Sequence, residues 1–119
     1  MELSCDDAIV DGYAAKLKVL GHPLRLRLLC LIEQGKDPCV SELWECLNQP
    51  QPVVSQHLAV LKERGIVSSE VRGNKRVYHI SDTLISDLIS MLHRHADRPL
   101  VPRLRPLQVE APKPAGTGV

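Results

Sequence analysis

Apolar residues recur along this chain with two different periods, and the change of period divides it into elements. From about Asp6 to Leu20, Ile9, Tyr13, Leu17 and Leu20 fall at helical spacing, which predicts a long amphipathic first helix. Gly21, His22 and Pro23 break it, and Pro23 suits the first turn of a second helix. That helix, LRLRLLCLIEQG, is apolar almost all round and stops at Gly35, so it is predicted to lie at the buried centre. After a loop containing Pro38, SELWECL predicts a short third helix, with Ser41 as its cap and Glu42 and Glu45 near its positive start. The turn NQPQP leads into VVSQHLAVLKERG. There Val54, Leu58 and Leu61 form a buried stripe and leave Val53, Ser55, Gln56, Ala59 and Lys62 outside it. The period then drops to two. IVSSEVRGNKRVYHI alternates apolar and polar residues around a Gly73-Asn74 turn, which predicts a hairpin. Last, Asp82 caps a helix over TLISDLISMLHRHA, with Leu84, Leu88, Met91, Leu92 and His95 near one face.

Two short helices joined by a tight turn and followed by a basic hairpin make a winged helix-turn-helix, mainly α with a small β-hairpin wing. Small and amide-bearing side chains on the free face of a short helix are what a DNA major groove accepts. The wing tip carries Arg72, Lys75 and Arg76, suited to a phosphate or to the minor groove. A solvated turn has a similar composition. A second amphipathic helix beyond the wing has little left to cover inside one small domain. It either closes the core or pairs with the first helix across a two-fold axis to form a homodimer.

Composition adjusts this picture in a few places. The 119 residues suit one domain, and with Phe absent and only Trp44, Tyr13 and Tyr78 aromatic, aliphatic packing has to carry the fold. The domain is expected over 1–98, followed by a Pro-rich tail over 99–119 that is expected to be disordered; its Arg103 and Arg105 can at most graze DNA or a partner. No apolar run approaches the roughly 20 residues of a membrane span. MELSCDDAIV is acidic where a secretory signal is basic, so no membrane partner and a cytoplasmic location are expected. The net charge of +1 is small for a DNA binder, but between Gln49 and Ile80 Lys62, Arg64, Arg72, Lys75 and Arg76 outnumber Glu63 and Glu70. Phosphate attraction acts over roughly 8 to 10 Å, so the local balance decides. The four cysteines form no CxxC pair and read as thiols. No nucleophile-base arrangement or Gly-rich phosphate loop is present, so no enzyme is expected.

With its VLGHPLRLRLLCLI, CVSELWECLNQPQPVVSQHLAVLKERGIV and VRGNKRVYHIS segments, the chain resembles the ArsR/SmtB family of small dimeric metalloregulatory repressors, over roughly Tyr13 to Ala96. The resemblance implies a homodimer that binds double-stranded operator DNA at an inverted repeat and is released by an inducer. Aligned residue by residue, it puts Gln51, Ser55 and Gln56 at positions facing base edges, with Gln56 suited to adenine. Pro52 and Val53 then offer apolar contacts, for example to a thymine methyl. His57 reaches a phosphate or serves helix packing, and Arg72, Asn74, Lys75 and Arg76 form the wing contact.

The inducer is the open part. The family's arsenic and cadmium sensors carry a CVCDLC-type motif where this chain has CVSELW, so Cys39 keeps one thiol and Ser41 and Trp44 replace the others. Cys5, on the N-terminal arm of either protomer, can complete a thiolate site with Cys39 for As(III), Cd(II) or another transition metal ion. Cys46 is a weaker candidate, because it lies about 7.5 Å along the helix from Ser41 while thiolates on one ion sit within ~4 to 5 Å. The zinc-type positions on the last helix become Asp82, Leu84, His95 and Arg98, of which Asp82 and His95 can ligate. Cys30 occupies a cysteine position of the persulfide-sensing members, whose partner cysteine has no counterpart here. A thiol- or persulfide-responsive repressor and a winged-helix protein-interaction module are the alternatives to metal-released repression.

Overall fold

Helix α1 (Asp7–Leu20) opens under Asp6, whose carboxylate accepts from the Ala8 amide at 3.0 Å. It buries only Val19 and Leu20. Of the stripe expected from the spacing only Leu20 is buried; Ile9, Tyr13 and Leu17, with neighbouring Val10, remain 49–61% exposed in the single chain. The computed structural model describes residues 6–35 and 37–103.

Helix α2 (Pro23–Gln34) is the centre of the fold, as its all-round apolar character predicts. Leu28, Leu29 and Leu31 are fully buried, and Cys30 and Ile32 nearly so. Its start is closed by His22, whose Nδ1 accepts from the Leu24 amide at 3.1 Å.

Helix α3 (Val40–Leu47) begins two residues earlier than expected, with Cys39 and not Ser41 at the cap position. The reason is a return bond from the third residue of the helix: Glu42 Oε1 accepts from the Cys39 amide at 2.9 Å. Helix α4 (Gln51–Glu63) packs Val54, Leu58 and Leu61 into the core. It leaves through Gly65, at φ +74, which donates to the Lys62 carbonyl at 3.0 Å while the Ile66 amide reaches back to Leu61 at 2.9 Å. This paired closure requires a left-handed residue, which Gly supplies without a Cβ penalty. It drops the fully buried Ile66 into the core.

Strands β1 (Val67–Arg72) and β2 (Lys75–Ile80) form the expected antiparallel hairpin in the register Val67 with Ile80 through Arg72 with Lys75. Gly73, at φ +64, and Asn74 make its two-residue turn. A further rung, not visible in the sequence pattern, joins β2 to the segment before α3. Cys39 bridges Val77, and the Tyr78 amide donates to the Pro38 carbonyl at 2.9 Å.

Helix α5 (Thr83–His95) is capped by Asp82, whose Oδ1 accepts from the Ile85 amide at 3.2 Å. It closes the core and still leaves an apolar face uncovered. Ile85 and Ile89 are fully buried and close the core, while Leu84, Met91 and Leu92 remain 37–44% exposed on the face read from the sequence. Lys16 Nζ and Asp82 Oδ2, 2.7 Å apart, tie α1 to α5. The chain stays on the core past Arg98: Val101 is buried, and the Pro102 carbonyl accepts from Gln34 Nε2 at 2.8 Å. Cys5, Arg105 and the rest of the Pro-rich tail lie outside the described residues. Among the described residues no helix is long and apolar enough to cross a membrane.

Candidate nucleic-acid interface

The turn between α3 and α4 sets the direction of α4. Asn48 takes the left-handed conformation at φ 55, and the Gln49 amide bonds back to the Trp44 carbonyl at 3.3 Å. Asn is among the few non-glycine residues that adopt this region readily. The Pro50 carbonyl then accepts from the amides of Val53 and Val54 and starts α4, with Pro52 in the first turn where a missing N–H is harmless.

With its apolar stripe sealed in the core, α4 turns Gln51, Pro52, Ser55, Gln56, Ala59 and Lys62 to solvent, and Val53 is half-buried at the edge of that surface. This exposed row of amides and a hydroxyl offers both hydrogen-bond donors and acceptors. His57 points elsewhere. Its Nδ1 accepts from Arg25 Nε of α2 at 3.2 Å, and its ring lies 4.5 Å from that of His22 at 49°. Burial, followed by the charges of His22 and Arg25, lowers its pKa below the usual imidazole value. Of the two roles expected for His57, helix packing is the one seen within the single chain.

The wing tip is less uniformly basic than its sequence suggests. Arg72 Nη1 lies 2.7 Å from Asp37 Oδ2, and its Nε 2.6 Å from Glu70 Oε2, so two carboxylates share its charge. Arg76 Nη1 donates to Ser69 Oγ at 3.0 Å. Asn74, Lys75 and Arg76 are all exposed, as is Val71 beside them.

The candidate ligands for an ion are dispersed. Cys39 is buried at the start of α3, with Ser41 and Trp44 half-buried where further thiols would be needed. Cys46 is half-buried, and desolvation raises its thiol pKa. The Asp82 carboxyl is held below its ordinary value, first by the Lys16 hydrogen bond, and is also used in capping α5. His95, Leu84 and Arg98 are exposed on or beyond α5. Cys30 is almost fully buried, and burial, reinforced by Glu33, pushes its thiol up to about 11. Among the described residues, no three His, Cys, Asp or Glu side chains lie close enough to share a metal ion.

Asp37, His22 and Arg25 escape sequence reasoning, because nothing in the local pattern signals contacts across the fold. Arg25 and His57 are 32 positions apart.

Residues 22–69 match a family model described as bacterial regulatory protein, arsR family. The chain is 33% identical over 88 residues to the HTH-type transcriptional repressor SmtB of Mycobacterium tuberculosis, an alignment covering 74% of this chain and 64% of that repressor. The chain thus spans somewhat less than two thirds of that relative's length. It is 39% identical over 80 residues to the biofilm growth-associated repressor of Agrobacterium fabrum, covering 67% and 68% of the two chains. Among solved structures, the homodimeric winged helix-turn-helix DNA-binding domain Mb0332 of Mycobacterium bovis superposes with a TM-score of 0.67 at 26% identity, over 82% of this chain and 91% of that one.

Proposed function

The chain belongs to the arsR family of bacterial regulatory proteins, and from that premise we propose that it is a homodimeric repressor that reads an inverted-repeat operator through α4. The observation that carries the reading is the division of α4 into two faces. Val54, Leu58 and Leu61 are committed to the core, so Gln51, Ser55 and Gln56 are fixed as its outward face. Self-association is supported by the apolar side chains that α1 and α5 leave uncovered, Ile9, Val10, Tyr13 and Leu17 on one and Leu84, Met91 and Leu92 on the other. A two-fold through these helices places two copies of α4 in successive major grooves about 34 Å apart.

The signal that ends repression has a narrower basis. The zinc-type donor set does not fit, because Asp82 is engaged by Lys16 and by the α5 amide while Leu84 and Arg98 stand at the other positions. A soft-ion response therefore falls to the thiols, first Cys39 with Cys5 and more weakly Cys46. It is tested by titrating the operator complex with arsenite and with cadmium. Equal release of wild type and Cys39→Ser removes this site.

The DNA reading is tested by selecting duplexes from a random pool and measuring affinity for the winner and for variants. Gln56→Ala is expected to lose about 1 to 3 kcal/mol of discrimination at one base pair of each half-site. A wild-type protein that enriches no sequence overturns the reading and favours a winged-helix module that binds protein.

A further inference from the structure

The start of α2 and the inner edge of α4 bring three nitrogen-rich side chains together outside the surface assigned to base reading, and their hydrogen bonds fix which nitrogens remain available. His22 Nδ1 accepts from the Leu24 amide at 3.1 Å, so that nitrogen carries no proton and Nε2 carries the N–H. His57 Nδ1 accepts from Arg25 Nε at 3.2 Å, which assigns the same tautomer to the second ring. The rings lie 4.5 Å apart. Arg25 spends Nε on His57, and its terminal nitrogens have no hydrogen-bond partner among the described residues; nor has Nε2 of either histidine. His22 is exposed, and Arg25 and His57 are half-buried. No carboxylate among the described residues pairs with any of the three. The cluster therefore combines one fixed positive charge with N–H donors and offers no acceptor, at the amino end of a helix whose dipole adds to the positive potential.

We propose that His22, Arg25 and His57 form a clamp for one phosphodiester of the operator backbone in each half-site. This rests on the DNA-binding reading and deepens it. A phosphodiester has one negative charge and two unesterified oxygens, which match one guanidinium and adjacent imidazole N–H donors. Location favours DNA over a free anion. His57 belongs to α4 and bonds Arg25 of α2, so a phosphate held here is tied directly to the helix that carries Ser55 and Gln56, although on a different side of it. The clamp would set the depth and tilt of α4 without reading any base.

The experiment measures operator affinity against salt concentration for wild type, Arg25→Ala and Arg25→Lys. If each protomer loses one phosphate contact, the slope of log affinity against log salt falls by about 0.9 per contact, or about 1.8 for the dimer, in Arg25→Ala. Affinity drops by at least about tenfold per protomer and equally for operator and unrelated duplex. Arg25→Lys keeps the charge but not the Nε bond to His57, and it is expected to retain the wild-type slope. Arg25→Gln replaces Arg25→Ala if the latter does not fold. An unchanged slope in the neutral variants, with discrimination between sequences lost, overturns the clamp and leaves Arg25 as a support for α4 alone. A wild type that binds no duplex overturns both the DNA reading and the clamp. In a parallel titration followed by the His57 ring-proton shift, inorganic phosphate is expected to cause far less change than duplex. An equal change would reassign the site to free phosphate and overturn the proposal.

Discussion

Replacing Tyr13 by Ala tests the most consequential part of the assembly. Tyr13 is 51% exposed in the single chain and lies on the same face of α1 as Ile9, Val10 and Leu17, so its ring contributes little to the monomer's own core. A tyrosine carries roughly 150–250 Å² of buriable surface, so about 100 Å² remains for a partner. At about 25 cal/mol per Å², covering it is worth about 2.5 kcal/mol. A two-fold interface counts each substitution twice, which gives about 5 kcal/mol if the ring is fully covered and about half that if it is half covered. The dimer dissociation constant should therefore rise between about 50-fold and about 4,000-fold. Sedimentation equilibrium over a dilution series measures the constant, and far-UV circular dichroism of the same samples checks that the helices persist. Operator affinity should fall in parallel, because one protomer presents one half-site reader. A dissociation constant that moves by less than about threefold, equivalent to under about 0.7 kcal/mol, would refute the placement of α1 in the interface.

One substitution and one labelling experiment probe the tie between the first and last helices and the core. Asp82→Asn removes the carboxylate that pairs with Lys16, whose side chains are 14% and 31% exposed, and should cost under about 1 kcal/mol at neutral pH in urea unfolding. Since the folded-state pKa of Asp82 lies below its ordinary 3.8, the wild-type advantage is fully present above that value and is lost as pH falls through the folded one. An advantage that persists under acid below both values would contradict the assignment. Cys30, with its thiol raised from 9.0 to about 11, should hold about a hundredfold less thiolate at neutral pH than an unshifted thiol. Mass spectrometry of briefly alkylated protein should find it unlabelled until urea is added, and rapid labelling of the native protein would refute the burial.

What the sequence revealed, and what it hid, follows from the range of the interactions. The α4 stripe was legible because Val54, Leu58 and Leu61 obey one local period, and the hairpin because Gly-Asn between alternating residues specifies a two-residue turn. The α3 boundary was missed because Ser41 is a conventional cap, whereas Cys39 takes that position through a side chain three residues on. On α5 the periodicity picks out Leu84, Leu88, Met91, Leu92 and His95 and passes over Ile85 and Ile89, which close the core with Leu88 packed at their edge. Within the candidate interface, exposure of Ser55 and Gln56 followed from the stripe. The engagement of Arg72 by Asp37, and of His57 by Arg25, depends on packing between separate elements, which no local pattern encodes.

The rung between Pro38 and Tyr78 is made of main-chain atoms, and so is the bridge from Cys39 to Val77. The joint that holds the wing against the front of α3 thus uses no side-chain atom of position 39. Because position 39 is buried, a residue about as small as cysteine that takes the extended backbone there, at φ −90 and ψ 166, leaves the wing attached. The chemistry displayed at this point is separable from the mechanical link beneath it. A thiol can be exchanged for a hydroxyl or a methyl group while the reading head keeps its shape.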